Sequence, residues 1–133
     1  MRSTIVAYLL TAVVFFGMDL VWLSTMVGFF YKPRIGDLLL DPPKLGVAAV
    51  FYLIYVVGVV VFAVLPAVKD GDWARAAWSG ALLGFVAYGT YDMTNLATLR
   101  GFSASVAAID MVWGTVATAV AATLAALGTS RWG

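Results

Sequence analysis

Three aspartates, Asp19, Asp92 and Asp110, stand inside strongly apolar stretches of this sequence. On insertion scales, the free-energy cost of placing an aspartate at the centre of a membrane helix is about 2.5–3.5 kcal/mol, and the cost is lower near the interface. Because three acids facing lipid would be costly, we expect them to face the interior of a helix bundle. A carboxylate group in that position binds a proton, a cation or an amine, or acts as a general acid or base.

The segments around Asp19 and Asp92 align with each other without a gap. Residues 17–29 read GMDLVWLSTMVGF and residues 89–102 read GTYDMTNLATLRGF. The shared positions are Asp19 and Asp92, Leu23 and Leu96, Thr25 and Thr98, Gly28 and Gly101, and Phe29 and Phe102. This match indicates two repeated helical hairpins in the same orientation, which an axis along the membrane normal would relate.

Hydrogen-bond donors accompany each of the three acids. A tryptophan or an amide follows each acid by three residues, which places both side chains on the same helix face. Helical rise puts all three acids within about 8–14 Å of one membrane face. We predict a ligand-binding site made of the acids, these donors, four tyrosines at the same depth and two arginines at the rim: Asp19, Trp22, Tyr52, Tyr55, Tyr88, Tyr91, Asp92, Asn95, Asp110, Trp113, Arg34 and Arg100.

The composition is typical of a membrane protein. Hydrophobic residues make up 63% of the chain and charged residues 11%, whereas a soluble domain carries roughly a quarter charged residues. The net charge is only +1 and no polybasic run is present, which argues against a nucleic-acid partner. The sequence has no cysteine and no histidine, so disulfides, thiolate chemistry, the usual zinc sites and histidine-ligated haem are excluded. No cofactor and no metal site is predicted.

Four apolar stretches are each long enough to cross a bilayer, which takes about 20 residues. They cover about 4–27, 45–68, 74–99 and 105–128, within one transmembrane domain over residues 1–133. Short connections imply antiparallel neighbours, so the predicted fold is an all-α, integral membrane four-helix bundle. Small residues predict close helix packing at Gly80, Gly84, Gly114, Thr118, Ala122 and Ala126.

The connection after the first span is long enough for a short segment lying on the membrane surface. Its apolar side chains are expected in the headgroup layer and its charged ones in water. The apolar residues are Phe29, Phe30, Tyr31, Ile35 and Leu38–Leu40, and the charged ones are Lys32, Arg34 and Asp37.

Orientation in the membrane is weakly specified. The eight lysines and arginines divide equally between the two sides of the predicted bundle, so the positive-inside rule does not choose one. We place both termini in the cytoplasm. The balance also permits insertion in both orientations, as in an antiparallel homodimer.

In these residues and motifs the chain resembles a bacterial family of predicted four-span membrane proteins, domain of unknown function 2177. The resemblance covers nearly the whole chain and rests on residues 18–23, 30–39, 51–67, 87–102 and 109–115, above all on the string YDMTNLATLRG. It implies a location in the bacterial inner membrane. It places the motif residues of the family at Asp19, Trp22, Tyr31, Tyr52, Asp92, Thr94, Asn95, Asp110 and Trp113. It supplies no function.

Three classes of function fit these residues. The first, which we favour, is binding or transport of a proton, a cation or a small organic or lipid ligand. The second is an accessory or structural subunit, in which the acids only hold helices together. The third is a membrane enzyme acting on a lipid, with two carboxyl groups as acid and base and with Arg34 and Arg100 holding a phosphate. Membrane lipid and a second copy of the chain are the expected partners.

Overall fold

The computed structural model of the protein describes residues 2–39 and 44–133. In those two ranges the chain forms four long helices and no strand, which confirms the predicted all-α bundle. The helices are α1 (Arg2–Leu38), α2 (Leu45–Asp70), α3 (Trp73–Thr98) and α4 (Ala104–Trp132). Short connections follow α2 and α3, so α3 runs antiparallel to both of its neighbours in the chain.

Local sequence signals fix the two short connections. Gly71 ends α2 in the left-handed conformation (φ 67°), which glycine adopts without a steric penalty, and its N–H donates to the carbonyl of Val68 at 3.2 Å. The carboxylate of Asp72 then accepts a hydrogen bond from the first turn of α3. Ser103 caps α4 in the same way, because its Oγ accepts from the N–H of Val106 at 3.2 Å. These caps set the register in which α3 meets its neighbours.

The first helix is not uniformly α-helical. It is α-helical over Arg2–Met26, widens into a π-helical turn over Val27–Tyr31, and continues in short turns to Leu38. A π-turn inserts one extra residue into a helical turn, and it therefore rotates everything that follows about the helix axis. That rotation contributes to turning Tyr31 toward α4.

The last part of α1, from the π-turn to Leu38, packs on the bundle. Its side chains Phe30, Tyr31 and Ile35 are buried in a hydrophobic cluster with Phe102, Val106 and Ala107. These three side chains therefore face the protein, whereas the sequence placed them in the headgroup layer. Phe29, on the opposite side, is 74% exposed. The expectation for Leu40 falls outside the described residues.

Helices α3 and α4 pack with their backbones in contact. A Cβ atom at Gly80 would lie 2.9 Å from the carbonyl oxygen of Thr118, and one at Gly84 would overlap the carbonyl of Gly114. Gly114 also makes room for the ring of Tyr88. The close packing predicted from the small residues is confirmed at these positions, and it holds α3 and α4 together as a pair.

The main hydrophobic core forms where the second half of α2 meets α1 and α4. Val56, Ala63 and Val64 of α2 are fully buried, as are Ala121 and Ala125 of α4. A π-turn over Val60–Val64 precedes Pro66 in α2. Proline lacks an N–H and clashes with the carbonyl four residues earlier, and a widened turn accommodates both defects without ending the helix.

Among the residues that the structure describes, three helices are long and apolar enough to cross a membrane by length and composition: α1, α2 and α4. The third helix has a comparable length, 26 residues, but its composition is less apolar and it is not among these three. Its crossing of the membrane stays a prediction, as does the full set of predicted span bounds. Helix α1 continues beyond the first predicted span, to Leu38.

Candidate functional site

A cavity of about 610 Å³ lies between the four helices, beside the middle of α1, near the end of α3 and near the start of α2 and α4. Every helix contributes to its wall, and most of the lining side chains are apolar or aromatic. The lining residues are Asp19, Trp22 and Leu23 of α1; Val47, Ala48, Phe51, Tyr52 and Tyr55 of α2; Ala87, Tyr88, Thr90 and Tyr91 of α3; and Asp110 of α4.

The cavity exists because the first half of α2 diverges from the other helices. Val47 and Ile54 are 69% and 63% exposed, whereas burial begins at Tyr55 (8%) and is complete at Val56. Because the lining residues Val47 and Phe51 are themselves exposed, the cavity opens sideways along α2.

Asp19 joins three helices through hydrogen bonds. Its side chain is 5% exposed. The hydroxyl group of Tyr52 on α2 donates to Asp19 Oδ2 at 2.5 Å, and Trp113 Nε1 on α4 donates to Asp19 Oδ1 at 3.2 Å. Both carboxylate oxygens thus have a donor, and hydrogen bonds to an ionised acceptor are the stronger kind.

Asp110 is held by a parallel chain of donors. Tyr31 donates its hydroxyl proton to Asp110 Oδ1 at 2.7 Å, and Trp22 Nε1 donates to the same Tyr31 oxygen at 3.1 Å. The indole rings of Trp22 and Trp113 stack with centroids 4.3 Å apart and planes 8° from parallel. Each tryptophan is therefore linked by hydrogen bonds to the acid of the opposite helix. Trp113 donates to Asp19 directly, and Trp22 is linked to Asp110 through the hydroxyl group of Tyr31.

The sequence carries a signal for this crossed arrangement. Residues 19–22 read DLVW and residues 110–113 read DMVW, and the spacing of three places the acid and the tryptophan of each motif on one face. The longer sequence match is that of Asp19 with Asp92, yet the structure pairs the motif of Asp19 with that of Asp110. Tyr31, which only the family resemblance indicated, completes the network.

Asp92 lies beside the cavity without lining it. It is fully buried, and no donor group reaches either of its oxygens. Its acidic neighbour is Asp110 of α4. Two of the three predicted acids, Asp19 and Asp110, therefore lie on the cavity wall, and the third lies beside it.

Four other predicted residues do not line the cavity: Trp113, which donates to Asp19, and Arg34, Arg100 and Asn95. Arg34 donates to the carbonyl of Phe30 at 3.2 Å and lies 4.0 Å above the ring of Phe30. Arg100 is exposed in the connection between α3 and α4. Asn95 is half-buried near the end of α3, outside the wall. The wall in turn includes residues that were not predicted, Leu23, Val47, Ala48, Phe51, Ala87 and Thr90.

The cavity offers two kinds of interaction to a ligand. An ionised carboxylate can accept about four hydrogen bonds, and Asp110 accepts only that from Tyr31 among the hydrogen bonds above. Aromatic faces attract cations within about 6 Å of the ring centre. Within the described residues, no group of three or more acidic, histidine or cysteine side chains could hold a metal ion. The geometry therefore suits an organic cation or a hydrogen-bond donor.

A family model described as "Predicted membrane protein (DUF2177)" matches residues 4–127. The matched range contains every residue of the cavity wall and of the hydrogen-bond network around it. No curated protein and no solved structure matches the chain at a significant level.

Proposed function

This chain belongs to the DUF2177 family of predicted membrane proteins, and from that premise we propose that it binds a small amphipathic organic cation in the cavity. The charged group of the ligand lies at Asp110 and Asp19, and its apolar part lies along the aromatic wall. One observation carries this proposal. The cavity has two carboxyl groups on its wall and no lysine or arginine among its lining residues.

The size and wall of the cavity support an organic ligand rather than a bare ion. Pockets for small organic molecules have volumes of about 300–1,000 Å³ and mainly apolar walls with a few polar groups. The 610 Å³ cavity fits this description. Its wall includes the rings of Phe51, Tyr55 and Tyr88, and the ring of Tyr55 is fixed by a 2.8 Å hydrogen bond between its hydroxyl group and that of Thr118. A cation over such rings gains about 0.5–2 kcal/mol.

The sideways opening supports a ligand that partitions into the bilayer. The opening follows the diverging half of α2, where Val47 and Phe51 are exposed. An amphipathic molecule at the depth of the acids would reach the cavity without leaving the membrane. Its charged group would then exchange lipid headgroups for a carboxylate, which avoids the cost of an unpaired charge in an apolar site.

Isothermal titration with tetraphenylphosphonium and with dodecylammonium, on the protein in maltoside micelles, tests this proposal. We expect saturable binding of at least one of these probes to the wild type. Asp110→Asn removes one of the two carboxyl groups from the wall and keeps a side chain of the same shape at this position. A hydrogen bond or contact with a charged group contributes about 1.5–3 kcal/mol, so binding should weaken by about tenfold or more.

Asp70→Asn is the matched control, because it makes the same chemical change at the far end of α2. Asp70 is exposed and pairs with Arg75 on the surface, and such pairs contribute about 0–1 kcal/mol. This variant should bind the probes as the wild type does. Binding that is absent with both probes, or equally strong in the wild type and Asp110→Asn, would contradict the proposal.

A structural role is a second candidate, and the surroundings of Asp19 favour it for this residue. Both oxygens of Asp19 already accept a hydrogen bond, from two different helices. If the acids only hold helices together, Asp19→Asn and Asp110→Asn lower stability in detergent and no probe binds. The titrations above and an unfolding measurement on the same variants separate the two candidates.

A further inference from the structure

Asp92 does not line the cavity, and it has no hydrogen-bond partner although it is buried. The side chain is 0% exposed, and both carboxyl oxygens are buried with no hydrogen-bond donor in reach. A buried ionised carboxylate without partners is among the most costly groups in a protein interior. Buried polar atoms in native structures have a partner in the great majority of instances, so these two oxygens call for a physical explanation.

The ionisable groups around Asp92 are acids and tyrosines, and none of them carries a positive charge. Asp110 faces it from α4, Tyr31 from α1, and Tyr91 precedes it on α3. The hydroxyl proton of Tyr31 is already donated to Asp110. On the other side of Asp110 lie Tyr52 of α2, whose hydroxyl donates to Asp19, and Tyr88 of α3. Within the described part of the chain, the one ion pair is Arg75 with Asp70, far from this site.

We propose that Asp92 and Asp110 form a proton-binding site in which a single proton is shared between their carboxyl groups. Two ionised carboxylates can only accept hydrogen bonds, so a buried contact between them would be repulsive. One proton converts the contact into a hydrogen bond in which one carboxyl donates and the other accepts. The pair then carries one negative charge instead of two, and the oxygens of Asp92 gain the partner that no other side chain supplies.

A metal ion does not fit this place as well as a proton does. Divalent cations in proteins take several oxygen ligands, about six to eight for calcium. The described residues contain no group of three or more acidic, histidine or cysteine side chains that could hold a metal ion.

The shared proton has a consequence that rests on the proposed function. Asp110 belongs both to the pair and to the cavity wall. A cation that binds to the carboxylate of Asp110 competes with the proton for the same oxygens. On binding, the proton leaves the pair for water, the pair gains one negative charge, and the cation neutralises it. Ligand binding would therefore be coupled to the release of one proton.

Infrared spectroscopy tests the proton site without any ligand. A protonated carboxyl group gives a C=O stretching band that a carboxylate lacks, and alkyl maltoside micelles contain no ester group that would hide it. We expect the wild type at neutral pH to show one such band. Asp92→Asn should remove it, because Asp110 is then left with an amide neighbour and the hydroxyl of Tyr31. Asp110→Asn should shift its frequency, because the hydrogen-bond partner of Asp92 changes from a carboxylate to an amide.

Two further variants make every result decisive. Asp19→Asn and Asp70→Asn should leave the band unchanged, since Asp19 has its own two donors and Asp70 is exposed. The proposal is overturned if the wild type shows no acid band, if the band is lost in Asp19→Asn, or if it is unchanged in both Asp92→Asn and Asp110→Asn. If one of the last two variants does not fold, the other still decides.

The same spectra distinguish failure of the proton site from failure of the proposed function. Loss of the acid band on adding tetraphenylphosphonium to the wild type would show the coupling between ligand and proton. A band that is present and unaffected by a probe that binds would refute the coupling and leave the proton site intact. A missing band together with saturable probe binding would refute the proton site alone.

Discussion

At the scale of single residues, Trp113 has two separable roles. Its ring stacks on Trp22 and its Nε1 donates to Asp19. Trp113→Phe keeps an aromatic ring at this position and removes the donor, so Asp19 keeps only the hydrogen bond from Tyr52. We expect the free energy of unfolding to fall by about 1–2 kcal/mol. Titration of the micellar protein with dodecyl sulfate, followed by circular dichroism, measures this change.

Trp78→Phe is the control for that experiment. The Trp78 side chain is 61% exposed, and a substitution at such a position usually changes stability by less than about 0.5 kcal/mol. If Trp113→Phe is as stable as Trp78→Phe, the bond from Trp113 to Asp19 contributes nothing measurable, and the network around Asp19 does not hold the helices together.

Much of this residue-scale network follows from spacing in the sequence, but its pairings do not. The spacing of three places Asp19 with Trp22, and Asp110 with Trp113, on one face of each helix. The hydrogen-bond pairing of tryptophans with acids depends on the rotation of α1 and α4 about their own axes. That rotation is set by packing across the bundle, so no local pattern reveals that each tryptophan serves the opposite helix.

At the scale of elements, the contact between α3 and α4 depends on glycine. A Cβ atom at Gly84 would lie 2.8 Å from Thr118 Oγ1 and would overlap the backbone carbonyl of Gly114. Backbone atoms cannot move aside, so Gly84→Ala forces the two helices apart. Overpacking of this kind costs about 1–3 kcal/mol, and we expect a loss of stability of this size in the same dodecyl sulfate titration.

Gly17→Ala provides a control with the opposite sign. A Cβ atom at Gly17 in α1 would meet nothing within 4 Å. Alanine there should raise stability by about 0.5–1 kcal/mol, because glycine in a helix interior loses more backbone entropy on folding. Equal effects of the two substitutions would show that the α3–α4 contact is looser than described.

Element boundaries divide into those that the sequence predicts and those that it does not. Gly71, Asp72 and Ser103 are residue types that commonly end or begin helices, and they do so here. The π-turn over Val27–Tyr31 has no such marker, because one extra residue in a turn changes local energies little. Its effect is large all the same, since it contributes to rotating Tyr31 toward Asp110.

At the scale of the whole molecule, the cavity is a product of how four helices are arranged, and no single segment encodes it. Hydrophobic composition predicts that α2 is a membrane helix, but it does not show which half packs in the core. The second half packs in the main core with small residues such as Ala121 and Ala125 of α4. The space beside the first half is the cavity.

Filling that space should remove binding without loosening the fold. Ala48 lines the cavity and is exposed, so the indole ring of Ala48→Trp can occupy the opening without displacing core residues. We expect the affinity for tetraphenylphosphonium to fall by about tenfold or more, which is a loss of about 1.4 kcal/mol or more in binding free energy. The free energy of unfolding should stay within about 0.5 kcal/mol of the wild type.

The control is Val61→Trp, since Val61 is 50% exposed on the other half of α2 and does not line the cavity. If both variants bind the probe as the wild type does, the probe binds elsewhere. If both lose stability, α2 packs along its whole length and does not diverge.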